Sequence, residues 1–352
     1  MENNLPFVSV IIPCRNEEKY IEKCLDSLLA QDYPRDNLEF LIVDGASEDK
    51  TKEIIKMYVN KYPFIQLIDN LKKFTSFGLN IGIKKAKGEI IIRADAHTEY
   101  PENYISKCVE ELLKYSEEEK VGNVGGIVGL PEMVGFEEIK KRFETSNPGK
   151  KYNINIAKAI AICLSHPFGA ASQFRLGTKE PRFVDTVFGG CYKKEVFKEI
   201  GFFNEHLIRS QDLEFNLRLK RAGWKILLIP DIIFKYYPKS SFWDFFKHNI
   251  DDGIWAIYPI KFIKQPFQLR HYIPLLFILS LIIFFILTFY FSWAKILFIL
   301  ILSIYLSLNL IFSFSIACKN GAIYLLLMPI AFICRHFGYG FGSIWGLIRT
   351  MI

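Results

Sequence analysis

Glu89-Ile90-Ile91-Ile92-Arg93-Ala94-Asp95-Ala96-His97 joins a β-branched apolar run to two groups able to ligate a metal. Four or five apolar residues of this kind, ended by polar ones, read as a buried strand. Three similar runs precede it. Phe7–Ile12 ends at Pro13, Leu38–Val43 is closed by Asp44-Gly45, and Phe64–Ile68 follows. The intervals between them carry helical spacing. Residues 17–30 place Tyr20, Ile21, Cys24, Leu25, Leu28 and Leu29 on one face, and residues 49–60 and 74–86 also read as helices. Strands alternating with helices of this length predict an α/β domain, a mostly parallel sheet flanked by helices. Ligands of such sheets bind outside the carboxyl ends of the strands, where Asp44 and Asp95 fall.

The pattern is less regular after Val128. Residues 136–165 read as helical with a break at Asn147-Pro148-Gly149, and Gly-rich residues 166–192 read as site wall. A helix from about Gln211 to Ala222 precedes two expected strands, Lys225–Ile229 and Ile232–Tyr236. No repeat or low-complexity linker is evident.

Charge separates the rest of the chain from this domain. All 37 acidic residues lie in residues 1–252, balanced there by 37 of the 44 Lys and Arg. A nucleic-acid binder concentrates positive charge on its folded domain, so no nucleic-acid partner is expected. Residues 273–317 hold one charge, Lys295, and Ile273–Trp293 and Ile296–Ala317 each reach the roughly 20 residues a spanning helix needs. Ala322–Ile348 is a third run, interrupted by Arg335-His336 and four glycines. It reads either as a third span whose polar pair faces its neighbours or as a re-entrant hairpin. The resulting partition is a catalytic domain over 1–240, an amphipathic interfacial segment over 241–271, and a membrane region over 272–352. Lys261, Lys264 and Arg270 before the first run predict that the catalytic domain faces the cytoplasm, at the cell membrane. No signal-peptide pattern opens the sequence. The seven cysteines form no CxxC pair and read as reduced packing residues.

Three constellations carry chemistry. Asp44, at a strand end, suits nucleotide contact, whereas Ser47 and Asp49 read as helix caps. Asp95 and His97, one residue apart, can face one divalent ion that bridges a diphosphate. Asp212 and Glu214 open a helix in Gln211-Asp212-Leu213-Glu214. They either complement its dipole or supply a general base.

Together these residues resemble a glycosyltransferase of family 2 with the GT-A fold. Ser9-Val10-Ile11-Ile12-Pro13 with Asn16-Glu17-Glu18, Asp44-Gly45-Ala46-Ser47, Asn80-Ile81-Gly82 and Ala86-Lys87-Gly88-Glu89 carry that likeness. Arg93–His97 with Tyr100-Pro101, Asp185–Gly190 and Gln211–Glu214 are similar to the succinoglycan-biosynthesis glucosyltransferases. The resemblance covers about residues 6–260. It implies that Pro13, Asn16, Glu17, Asp44, Asn80, Arg93 and Asp95 bind a nucleotide-diphosphate sugar. It further implies that Asp95 and His97 hold Mn²⁺ or Mg²⁺, His97 standing where most of the family has Asp. Asp212 would be the base, and Phe188, Gly189, Gly190 and Gln211 would wall the acceptor, with Lys247 and His248 near it. The implied reaction is inverting transfer, of glucose from UDP-glucose, to a lipid-linked saccharide acceptor in exopolysaccharide synthesis. Alternatives are a polyprenyl-phosphate glycosyltransferase, a nucleotidyltransferase (disfavoured by the acidic, Gly-free Pro13–Glu18 loop) and a non-catalytic scaffold.

Overall fold

Every residue of Leu38–Asp44 is buried, which is why this run forms a strand in the middle of a sheet. In the computed structural model, which describes residues 5–129, 136–146, 149, 151–170, 172–176, 178–235, 238–263 and 267–352, the elements alternate as the apolar pattern requires. In chain order they are β1 (Val8–Cys14), α1 (Ile21–Leu29), β2 (Leu38–Asp44), α2 (Thr51–Lys61), β3 (Ile65–Asp69), α3 (Thr75–Lys85), β4 (Ile90–Arg93), α4 (Tyr104–Glu119) and β5 (Val121–Gly129). Next come α5 (Phe136–Ser146), α6 (Ile154–Ser165), α7 (Gln173–Leu176), β6 (Arg182–Phe183), β7 (Phe188–Lys193), α8 (Lys194–Ile200), α9 (Gln211–Arg221) and β8 (Lys225–Lys235). The last helices are α10 (Phe242–Ile257), α11 (Ile273–Leu287), α12 (Ser292–Asn320) and α13 (Tyr324–Met351). They fall into two units, Met1–Val134 with Gln173–Tyr236, and Gly135–Ser172 with Tyr237–Ile352.

The first unit is an eight-stranded sheet in the order β3-β2-β1-β4-β7-β5-β8-β6. The block β3-β2-β1-β4 is parallel, β7 runs antiparallel between β4 and β5, and β5 pairs with β8 in parallel. Apolar residues cover both faces, with Phe40, Ile12 and Ile92 in one core cluster and Ile11, Leu41 and Ile91 in the other. Two expectations change here. The expected strand pair after α9 is a single strand, β8, because a register shift between Ile229 and Ile233 absorbs Pro230-Asp231; Tyr236 lies outside the described residues. The Gly-rich stretch up to residue 192 contains a central strand, β7. Its glycines hid it: Gly189, at φ 77°, has left no room for a Cβ beside the Tyr104 hydroxyl.

Glycines and buried polar groups fix how the parallel block assembles. A Cβ on Gly82 would meet Ile11, and one on Gly88 would meet the Ser9 amide nitrogen at 2.6 Å. The buried Glu39 carboxylate accepts from the Ser9 hydroxyl and from the Lys87 N–H, both at 2.6 Å, while the Gly88 N–H donates to Ser9 Oγ. The Ala86–Glu89 motif thus seats the start of β4 against β1 and β2.

In the second unit, α12 and α13 are long and apolar enough to cross a membrane. Ile296, Leu310 and Phe314 on α12 are 68%, 57% and 61% exposed, which suits a lipid-facing surface better than a watery one. The expected span beginning at Ile273 is shorter than its composition suggested. Its helix, α11, has 15 residues, about 22 Å at 1.5 Å per residue against a core of roughly 30 Å. The third run is one continuous helix, not a hairpin. Its polar pair faces neighbours: Arg335 Nη1 donates to Asn249 Oδ1 at 2.5 Å and lies 3.4 Å from Asp252 Oδ2. His336 Nε2 sits 2.7 Å from the Phe168 carbonyl, so Nε2 carries the proton and Nδ1 accepts from Tyr305. Asn147, Pro148 and Lys264 lie outside the described residues.

Gly338, Gly342 and Gly346 form an i, i+4 stripe on α13 where α10 lies backbone to backbone. A Cβ on Gly342 would fall 2.0 Å from the Ile250 carbonyl oxygen, and one on Gly253 the same distance from the Tyr339 oxygen. Small-residue stripes of this kind let helices approach closely. Gly342→Leu should therefore destabilise the protein by about 1–3 kcal/mol, since the obstacle is backbone and cannot rotate away. Thermal unfolding in detergent checks this. The neighbouring Phe341→Leu, at an outward position 44% exposed, should leave the midpoint unchanged.

Candidate active site

A cleft of about 430 Å³ opens at the carboxyl ends of β1, β2, β3 and β4. Its lining includes Pro13, Arg15, Glu17, Lys73, Asp95, His97, Arg209 and Gln211. Parallel strands end together, so residues far apart in sequence meet there. Tyr100 fixes the Asp95 backbone: its hydroxyl accepts from the Asp95 N–H at 2.6 Å. Arg93, the last residue of β4, turns its guanidinium along the same edge, and Nη2 donates to Asp95 Oδ1 at 2.8 Å. Its Nη1 forms an ion pair with Asp212, in the first turn of α9. Ser210, just before that helix, is held at φ 61°, a left-handed conformation costing a non-glycine residue of order 1–3 kcal/mol. The turn it makes presents Gln211 and Asp212 at the start of α9, one in the cleft lining and the other on Arg93.

The electrostatics suit an anion. Arg15, Lys73, Arg93 and Arg209 share the lining with Glu17 and Asp95, and Arg15 and Lys73 each also lie 3.7 Å from the exposed Glu48 carboxylate. Burial opposes charge on Asp95, yet the Arg93 guanidinium and the His97 imidazole hold its carboxyl below the usual range. His97 Nδ1 lies 3.4 Å from Glu17 Oε1, and this carboxylate raises the His97 pKa against the effect of burial. Cys14 also lines the cleft, but burial, with Asp44 and Glu17 adding to it, pushes its thiol far up. It is a packing thiol, and all seven cysteines are free.

The structure divides the residues singled out in the sequence. Pro13, Glu17, Arg93, Asp95, His97 and Gln211 line the cleft, and Asp212 is bound to its wall through Arg93. Asp44 is buried at the end of β2 and is used internally, accepting from Ser47 Oγ at 2.6 Å and from the Ser47 N–H at 3.2 Å. Asn16 joins two loops, accepting from the Glu48 N–H while its own N–H donates to Ser47 Oγ. Asn80, expected among the nucleotide ligands, is outside the cleft lining and bonded within the fold. It is buried, its Nδ2 donates to the Phe203 carbonyl and to Glu205, and its Oδ1 accepts from the Phe203 N–H. Glu214 is on Arg218, 2.6 Å away, which separates it from Asp212. Phe188, Gly189 and Gly190 do not line this cleft; Phe188 packs on Phe174 and Phe234. In the second unit Lys247 lies over Trp243, and His248 is 3.7 Å from Asp252.

Sequence reasoning missed Arg15, Lys73 and Arg209. Lys73 reaches the lining because Asn70 builds a turn, accepting from the Lys72 N–H and donating to the Phe74 carbonyl, and leaves Lys73 at φ 69°. Asn70, placed directly after a strand, was the signal available.

The sequence and fold match known proteins. The profile of "Glycosyl transferase family 2" matches residues 9–178. The dolichyl N-acetyl-alpha-D-glucosaminyl phosphate 3-beta-D-2,3-diacetamido-2,3-dideoxy-beta-D-glucuronosyltransferase of Methanococcus voltae is 32% identical over 349 residues, 97% of this chain and 98% of that protein. Succinoglycan biosynthesis protein ExoA of Rhizobium meliloti is 26% identical over 246 residues, 68% of this chain and 67% of that protein. Among solved structures, the mannosyltransferase PcManGT from Pyrobaculum calidifontis, in complex with GDP-Man and Mn²⁺, superposes with a TM-score of 0.60 at 17% identity, covering 97% of this chain and 88% of that one. At that identity the likeness is one of fold.

Proposed function

We infer the reaction from one premise: the chain belongs to glycosyl transferase family 2 and has the GT-A fold. It is a glycosyltransferase of polysaccharide or lipid-linked glycan synthesis. The finer reading is transfer of a sugar from a nucleoside-diphosphate donor to a hydroxyl of a saccharide carried on a lipid phosphate. The observation that carries it is the cleft where Arg15, Lys73, Arg93 and Arg209 meet Glu17, Asp95 and His97, with Asp212 on Arg93. The acceptor oxygen bonds to the anomeric carbon as the bond to the phosphate oxygen breaks. Asp212 takes the acceptor proton, the nucleoside diphosphate departs, and one displacement inverts the configuration. Arg15, Lys73 and Arg209 hold the diphosphate.

A divalent ion fits this donor set. Among the described residues no group of three His, Cys, Asp or Glu is arranged to hold a metal. Asp95 and His97 remain as a pair beside the space a diphosphate would fill, and Mg²⁺-type sites usually combine one or two protein ligands with substrate phosphates and water. Such an ion would stabilise charge on the departing diphosphate. An imidazole ligand favours Mn²⁺ over Mg²⁺.

The full-length Methanococcus relative, by its name, transfers an N-acetylated uronic acid to a dolichyl-phosphate sugar. On the strength of that relative's match over 98% of its length, we place a donor of that class ahead of the UDP-glucose expected from the sequence. The membrane helices suit a lipid carrier, and Lys261 and Arg270 ahead of α11 argue that the catalytic domain faces the cytoplasm. Purified protein incubated with Mn²⁺, a polyprenyl-phosphate N-acetylglucosamine and a panel of labelled donors tests this. The expected result is a labelled disaccharide-lipid on thin-layer chromatography, formed best from the UDP-activated diacetamido uronic acid. Equal or better transfer from UDP-glucose would remove the uronate reading. Label on bare polyprenyl phosphate would make the lipid phosphate itself the acceptor.

A further inference from the structure

Arg93 touches two carboxylates that sit on different strands of the mechanism. One terminal nitrogen serves Asp95 at 2.8 Å, and the other serves Asp212. Its side chain is 12% exposed, against 36% for Asp212, so the guanidinium is sunk in the wall and the carboxylate stands open beyond it. A carboxylate has two oxygens and several lone pairs. With Oδ1 on Arg93, Oδ2 of Asp212 is left for an acceptor hydroxyl. The helix carrying Asp212 starts from a left-handed serine, which places Asp212 in its first turn beside Arg93.

Resting on the reading of Asp212 as the base, we propose that Arg93 is a positioning residue. It aims Asp212 at the acceptor and fixes it relative to Asp95, the residue on the donor side. The planar fork of arginine spans the two carboxylates, and a lysine ammonium, a single point charge, does not reproduce that span. Arg93 therefore acts on turnover through Asp212, not on donor affinity through the phosphates. Arg15, Lys73 and Arg209 remain in the cleft for that task.

A double-mutant cycle on the full-length protein tests this. Arg93→Met should lower kcat about 10²-fold, the cost of a misplaced catalytic group. Donor Kd by calorimetry should hardly move. Added on the Asp212→Asn background, Arg93→Met should cost less than about threefold more, because groups acting as a unit are non-additive. Arg93→Lys should fall with Arg93→Met in kcat and serves as the second variant if the Met form does not fold. If Asp212→Asn itself keeps near-normal turnover, the base assignment fails and this inference with it. If Asp212→Asn is inactive but the two losses multiply, or if Arg93→Met weakens donor Kd tenfold, only the role given to Arg93 is overturned.

Discussion

Asp212→Asn should lose about 10²–10⁴-fold in kcat while still binding donor. The substitution is nearly isosteric, so the start of α9 should survive. Gln211 remains in the lining, and the buried Asn216 still donates to Thr186 Oγ1 at 3.0 Å and accepts from Asn123 at 3.1 Å, anchoring the helix to the sheet. What is lost is a charged acceptor for the proton. Glu214 offers no substitute because Arg218 occupies it and it lies outside the cleft. Single-turnover rates with saturating donor and acceptor, beside calorimetric donor affinity, check the outcome. Near-normal turnover would remove Asp212 as the base. A matching loss of donor affinity would instead make it a binding group.

The sequence made the parallel half of the sheet legible because each strand there is a pure apolar run with a polar end. The same regularity placed Glu17, Asp95, His97 and Gln211 together, since strand ends in such a sheet converge. It says less where side-chain chemistry is ambiguous. A polar residue beside a motif can close a backbone turn or face a ligand, and no spacing separates the two. Asp44 caps Ser47, Asn16 joins two loops and Asn80 holds the 203–205 turn. Lys73 and Arg209 were hidden for the converse reason. Their approach to the cleft depends on turns with positive φ at Lys73 and Ser210, which composition does not announce. In the membrane region hydropathy found the apolar stretches but not their ends. Residues 288–291 interrupt what composition reads as one span, and the helix resumes at Ser292 with Lys295 inside it.

Removal of the metal-side groups should rival loss of the base. Asp95→Ala should lower turnover by about 10³-fold or more, because a bound cation contributes several kcal/mol to a developing phosphate charge and each 1.36 kcal/mol is tenfold. The substitution also takes one of two carboxylates from Arg93, leaving that buried guanidinium with Asp212 alone. His97→Ala should be milder. Its imidazole is 61% exposed and already shared with Glu17, so water can replace it, and the apparent Mn²⁺ affinity should fall about 10–100-fold with kcat recovered at high Mn²⁺. Metal titrations of activity, after chelator treatment, separate the two. Asp95→Ala should stay inactive at every Mn²⁺ concentration, whereas His97→Ala should return toward full rate. An unchanged titration for His97→Ala would exclude His97 from the metal site. Activity of the chelated native protein equal to that with Mn²⁺ would remove the ion from the mechanism, leaving Arg15, Lys73 and Arg209 to carry the diphosphate alone.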